Sequence, residues 1–347
     1  MNRIAVKQPL SDDDSQMLSV ASLFEEEFSI DWIQELTSRK ATEVLSCCDK
    51  ALRLGLLSSR QIGAFSFCDH QKRLALKDRL SSAQSQVYHK RIFALLSRDL
   101  PDTKQKALRL SPHLLSIENT PESCLWLLNA ARSYASDYAI QSALACYGKI
   151  LEDLSGADSD QTDELFCDAA IEYARLNTAR SDVKKVTSIL EEAMFRAKKL
   201  HNERYQSLIG MNFAKNKWLQ SQYKSALKHF DDSWTLANSL GDETLIRSLD
   251  HFKTFLLYWQ GLFKDALADY EMHLADVENF PQGRFPLLAK MTVGVCYGQT
   301  GQVTQGIGMI DAIRRHCLET GDRDLAAHCG ICIGAILLDA GHIADAL

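Results

Sequence analysis

A spacing of forty residues constrains this 347-residue chain more than any other feature of its sequence. Tyr223, Ala226, Leu227 and Phe230 are echoed by Phe263, Ala266, Leu267 and Tyr270, then by Val303, Gly306, Ile307 and Ile310, then by Ile343, Ala346 and Leu347. A fixed period of roughly 20 to 50 residues marks one supersecondary unit copied in tandem, because such a unit buries its apolar face only against its neighbours. The predicted unit is a helix-turn-helix hairpin. A second small slot, Ala174, Ala214, Thr254, Gly294 and Gly334, belongs to the helix that precedes each echo. Gly261, Gly301 and Gly341 fall at the turn inside the hairpin, and Gly241 and Gly321 at the turn between hairpins, where glycine accepts φ > 0. Val183, Val186, Leu190, Ala193 and Ala197 extend the pattern upstream, as do Ile140, Ala143, Leu144, Tyr147 and Ile150. The polar insert from Gly156 to Asp163 lengthens that first step to 43. Five complete repeats and a truncated sixth therefore begin near Pro121.

Composition agrees with a helical chain. Only six prolines accompany a 46% hydrophobic and 24% charged sequence, which is ordinary for a globular protein rich in helix formers. No apolar run reaches the roughly 18 residues of a membrane span, and Met1 to Val20 lacks the apolar core of a secretory signal. Ten cysteines at scattered spacings fit reduced core thiols better than a disulfide framework, so the expected location is the cytoplasm, with no membrane association. The net charge of -6 hides an uneven distribution: 12 basic against 5 acidic side chains in residues 36–100, with acidic excess on both sides. Such a basic island meets nucleic acid or an acidic neighbouring domain.

Before the repeats the period changes. Ser11 to Asp14 reads as a helix N-terminus, followed by the apolar face Met17, Leu18, Val20, Ala21 and Phe24. A short helix is predicted at Ile30 to Leu36 and a longer one from Thr42 to Leu54, stopped by Gly55. Leu56-Leu57, a polar turn from Ser58 to Gly63 and the alternating Phe65-Ser66-Phe67 predict a small β-hairpin. Three helices and a hairpin is the winged-helix order. Asp69 caps a following helix, another runs from about Gln84 to Leu96, and a linking helix around Leu108 to Leu115 is expected to break at Pro112.

Two resemblances follow from these residues. The small and aliphatic slots of the second half match the tetratricopeptide pattern, with a period longer than its usual one. The runs Ala21-Ser22-Leu23-Phe24, Phe28-Ser29-Ile30, Ala51 to Leu57, Phe65 to His70 and Tyr88-His89 resemble the winged-helix segment that follows the NTPase core in bacterial STAND-type regulatory ATPases, among them maltose-regulon-type activators and cyclase- or kinase-linked ATPases. That match spans about residues 15–100. The glycine usual before the Phe-Ser pair is replaced within Glu25 to Glu27, and the arginine usual before the hydrophobic-His pair is absent around Ser85 to Val87. The resemblance implies an NTPase domain before Met1, further repeats after Leu347, and seam positions at Phe65, Phe67, His70 and His89.

Chemistry is sparse. No GxxxxGK[ST] loop is present, no serine, cysteine or carboxylate is spaced to form a triad with a histidine, and the chain is not expected to be an enzyme or to hold a cofactor. Cys329, Cys332, His328, His316 and Cys317 read as core and helix positions rather than a metal site. Phe65, Phe67, His70 and His89 read equally as packing and capping residues. The first helices of the repeats are expected to line an inner groove with Asn212, Lys215, Asn216, His251, Lys253, Tyr258, Lys290 and Tyr297, a mixture that suits a peptide or small effector with an anionic end, or a merely solvated face.

The expected architecture is thus mainly α: a winged-helix-like domain over residues 1–100, a linking helix over 101–120, and a right-handed α-α superhelix of tetratricopeptide-like repeats over 121–347. The expected role is the regulatory and sensor region of a STAND-like ATPase, binding a protein or small effector and controlling an NTPase domain. A free-standing protein-binding adaptor is the alternative, and a DNA-binding regulator through Arg39, Lys40, Lys50, Arg53, Arg60, Lys72, Arg73, Lys77 and Arg79 a third.

Overall fold

The computed structural model describes residues 10–177, 182–274 and 284–346. The chain is helical with one small sheet, and it divides into two compact units, Met1–Ala130 and Ala131–Leu347.

In the first unit α1 (Asp12–Ala21) opens with the capping arrangement expected of Ser11: the Asp14 amide donates to Ser11 Oγ, and the Ser11 amide to Asp14 Oδ2. Asp14 is buried, and Lys50 of α3 (Ala41–Arg53) reaches it at 2.9 Å. Between them lie β1 (Phe28–Ser29) and α2 (Ile30–Thr37). β2 (Leu57–Gln61) and β3 (Ala64–Phe67) form the hairpin, and β1 joins it to give the antiparallel order β1-β3-β2, with Phe28 opposite Phe65 and Leu57 opposite Phe67. The turn is tighter than the polar stretch predicts. β2 runs on to Gln61, and the chain reverses at Ile62-Gly63 with Gly63 at φ +81. α4 (His70–Lys77) starts on the Asp69 cap, and α5 (Ser82–Asp99) is longer at both ends than the apolar spacing marks. The expected break at Pro112 does not occur: α6 (Lys104–Leu114) continues through it. The carbonyl that loses its amide donor to the proline belongs to Leu108, and Ser111 Oγ donates to it at 2.9 Å.

The hairpins follow in series: α7 (Pro121–Ser136) and α8 (Ile140–Asp153), α9 (Asp160–Leu176) and α10 (Val183–Lys199), α11 (Glu203–Leu219) and α12 (Tyr223–Leu240), α13 (Glu243–Trp259) and α14 (Phe263–His273), α15 (Arg284–Gln299) and α16 (Val303–Thr320), α17 (Arg323–Asp339) and α18 (Ile343–Ala346). The division between the two units falls inside α7. From α9 onward each first helix packs on its own second helix and on the first helix of the next hairpin, so α9, α11, α13, α15 and α17 lie side by side. Their shared cores repeat: Phe230, Leu249 and Phe252 in one, Ala266, Tyr270 and Val293 in the next, Ile310, Leu325 and Ile336 in a third.

The slots behave as their size requires. Ala226 and Ala266 are fully buried, and at Gly306 a Cβ would stand 2.4 Å from the Gly294 carbonyl oxygen. The left-handed turn residues also repeat. Inside the hairpins they are Tyr138, Ser221, Gly261, Gly301 and Gly341, and between hairpins His201, Gly241 and Gly321.

Candidate functional site: the wall of first helices

The seam residues of the first unit join an aromatic chain. Phe65 and Phe67 each stand about 6 Å from Phe28, centroid to centroid; Phe28 meets Phe24 at 6.1 Å, and Phe24 meets His113 edge-on at 5.9 Å. His113 Nδ1 lies 2.9 Å from His89 Nδ1, and both rings are buried. One nitrogen donates and the other accepts, so the accepting ring is neutral, and burial pushes His89 down to about 4 and His113 to about 3. His113 escapes sequence reasoning because it sits alone in the linking helix with no periodic partner. His70 lies apart, exposed at the start of α4, with Nδ1 3.3 Å from Arg73 Nη2. Part of the basic island is spent internally: Arg39 pairs with Asp13, Lys50 with Asp14, and buried Arg73 donates to the Ser22 carbonyl.

In the second unit two cavities, of about 400 and 350 Å³, open on the wall made by the first helices. Their linings fall in columns set by the repeat. One column is Arg132, Arg175, Lys215, Phe255 and Val295; another is Asp168, Leu208, Ser248, Leu288 and His328. Ile171, Met211, His251 and Met291 form a third, and Glu172, Asn212, Phe252, Thr292 and Cys332 a fourth. These positions recur because one face of a helix returns at the same register in each hairpin. The columns change character along the stack, from cations and carboxylates on α7 and α9 to aromatic and aliphatic side chains on α13 and α15.

The first cavity is an ion-pair lattice. Arg132 Nη2 donates to Asp168 Oδ2 at 2.9 Å, and Tyr205 OH donates to Asp168 Oδ1 at 3.0 Å. Arg175 donates through Nε and Nη2 to Glu172 Oε2, and Arg204 through Nε to Asp242 Oδ2, all three guanidinium groups remaining more than a third exposed. Lys215 turns its ammonium to the carbonyls of Ala174 and Arg175 at 2.9 and 2.7 Å, closing the C-terminal end of α9 and countering its dipole. His251 is buried, burial holds it down to about 4, and its Nδ1 has no hydrogen-bond partner among the described residues. The second cavity is apolar: Trp218, Phe255 and Trp259 contact one another with centroids 5.0 to 6.2 Å apart, and the Trp218 Nε1 donor is buried without an acceptor among the described residues. Arg175 and Lys215 line both cavities.

Four of the eight groove residues expected from sequence stand on this wall: Asn212, Lys215 and His251 at the first cavity, Lys215 and Tyr258 at the second. The others are placed elsewhere. Asn216 is buried and donates to Thr187 Oγ1 of α10 at 2.7 Å. Lys253 pairs with Asp269 of α14, and Tyr297 OH lies 3.3 Å from Glu271 Oε1 of the same helix. Lys290 is half-buried, its pKa lowered by that burial, and is not among the side chains lining either cavity. Counting back by forty from Lys215, or by eighty from Phe255, reaches Arg175, so the columns were available from the period. Polar residue type alone does not separate side chains that line the cavities from those that bond to a neighbouring helix.

No protein-family model and no curated protein matches this chain. Among solved structures it is similar to a signal transduction ATPase with numerous domains (STAND) with a tetratricopeptide repeat sensor from Pyrococcus horikoshii, at 14% identity and TM-score 0.43, over 96% of this chain and 54% of that one. It is similar to aspartyl phosphate phosphatase F from Bacillus subtilis, at 13% identity and TM-score 0.48, over 91% and 76%. Kinesin light chain tetratricopeptide-like repeats from Podosopora anserina match over 58% of this chain and 98% of theirs, at 14% identity and TM-score 0.38. The chain spans about half the length of the STAND protein.

Proposed function

We propose that this chain is a regulatory binding module whose tetratricopeptide-like wall holds a protein or peptide partner, acting by binding rather than by catalysis. The carrying observation is the set of columns. Side chains from α7 to α17 converge on two adjoining cavities, while the repeat's small slots, which set the packing, lie at other positions. An apolar cavity beside a few placed polar groups is the usual form of a ligand site.

Within that role we assign the chain to the sensor region of a STAND-like signalling ATPase. Support comes from the Phe28, Phe65 and His89 positions that carry the sequence resemblance and from the helix-strand order of the first unit, which suits a winged helix. A partner on the wall shifts an off/on equilibrium of the attached NTPase only if it binds the two states with different affinity. A free-standing adaptor is the second reading, favoured by the same wall. DNA recognition is disfavoured because Arg39, Lys50 and Arg73 are committed inside the unit.

The test is selection of binders from a random 12-residue peptide display library on the full chain. Trp259, half exposed at the second cavity, and Phe195, exposed on second helix α10, supply the comparison. Binders should lose at least tenfold in affinity to the Trp259→Arg chain and keep it for Phe195→Arg. Equal binding to all three chains places the site away from the wall.

A further inference from the structure

The chemistry of the wall is directional and rich in donors. Its carboxylates are engaged, Asp168 by Arg132 and Tyr205, Glu172 by Arg175. Arg132 and Arg204 each spend one nitrogen on a carboxylate, and a guanidinium carries five N–H donors. With Lys215 committed to the end of α9, the three arginines of the first cavity each hold one carboxylate, Asp168, Glu172 or Asp242, and keep further N–H donors beyond that pair. Two buried ring nitrogens at the wall, His251 Nδ1 and Trp218 Nε1, have no partner among the described residues, and an unsatisfied buried polar group is costly. His251 is more than nine-tenths buried and lines the first cavity, which makes this a built site rather than a cluster of surface charges. Past Arg175 and Lys215 the lining turns to Trp218, Phe255, Trp259, Leu288 and Met291.

Given the wall as the binding surface proposed above, we propose that its ligand is an extended peptide in which an acidic residue lies roughly three to six positions from a bulky apolar one, as neighbouring helix axes about 8–10 Å apart and about 3.3 Å per extended residue require. The carboxylate meets Arg175 and its neighbours on α7, α9 and α11. The apolar side chain enters the cavity of α13, α15 and α17. A peptide fits better than a small acid because the two compartments follow one another across successive helices, and backbone carbonyls supply the acceptors that the wall's donors lack.

The test starts from the display selection. Wall-dependent binders, those lost with Trp259→Arg, should carry Asp or Glu at a fixed spacing of about three to six residues from Leu, Ile, Phe or Trp. A fluorescein-labelled synthetic copy of the strongest binder should weaken about tenfold when its acid is exchanged for the amide, the usual worth of one charge-assisted pair. That difference should vanish on the Arg175→Met chain, whose folding is checked by its thermal transition; Arg132→Met is the second variant should the first not fold. Wall-dependent binders that are basic or lack an acid overturn this inference and leave the wall reading standing. So does an acid-to-amide exchange without effect, or sodium decanoate binding as tightly as the peptide, which shows that the chain of the peptide contributes nothing. An empty selection overturns both.

Discussion

Arg196 is buried, and its guanidinium joins the two ends of the insert from Gly156 to Asp163. Its guanidinium lies over the Phe166 ring at 4.1 Å, pairs with Asp163 and Glu192, and donates to the carbonyls of Leu154 and Ser155 at 3.0 and 3.1 Å. Lys199 adds ion pairs to Asp158 and Asp163. The three extra residues of the first step are thereby tied down, since the loop's carbonyls would otherwise be left facing a cation-free core. Arg196→Met removes the charge but keeps the stem, leaving Asp163 buried beside Lys199 alone; a loss of about 3–5 kcal/mol in urea unfolding is expected, and a loss below about 1 kcal/mol shows that the clasp is idle. The buried histidine pair makes a second prediction. His89 and His113 titrate at about 4 and about 3 when folded, below an unfolded value near 6.5, so the unfolded chain binds more protons between those limits. Stability of this unit is therefore full above about pH 6.5 and falls as pH drops toward 4. The double variant His89→Phe with His113→Phe should flatten the thermal transition against pH in that window; an unchanged slope assigns acid sensitivity to other groups.

At the scale of the helix and its turn, the period explains where the left-handed residues fall. Gly261, Gly301 and Gly341 adopt φ of +75, +91 and +82, while Ser221 holds the same slot at φ +61 without the freedom of glycine. Ser221→Gly should gain about 1 kcal/mol by releasing that strain, offset in part by unfolded-chain entropy, and Gly261→Ala should lose a similar amount. A calorimetric change of the same sign for both sets the turn argument aside. The helix crossing is tested by Ala226→Leu, which should cost roughly 1–3 kcal/mol because Ala226 is fully buried on α12, the helix that packs on α11. Elements of this kind were legible in sequence because each copy confirms the register of the others. β1 was not: two residues have no period, and Phe28-Ser29 become a strand only because Phe65 and Ala64 lie opposite. Pro112 misled for a similar reason, since the rule that proline ends a helix omits the serine beside it that takes over the freed carbonyl.

For the molecule as a whole, the fold was more legible than the wall. Packing slots repeat as residue sizes, which any copy displays, whereas the wall repeats only as positions: one column passes from the cations Arg175 and Lys215 to the apolar Phe255 and Val295. Among the described residues no helix is long and apolar enough to cross a membrane. The forty-residue step has a further consequence. Because the same interval that stacks the hairpins also spaces the columns, the wall is a ruler with one graduation per hairpin, about 9 Å apart. Duplicating residues 203–242 in place would add one graduation between Arg175 and Phe255. The favoured peptide should then lengthen by about three residues between its acid and its apolar anchor, so that reading length is set by copy number and the letters at each mark by side chains that the stack does not use.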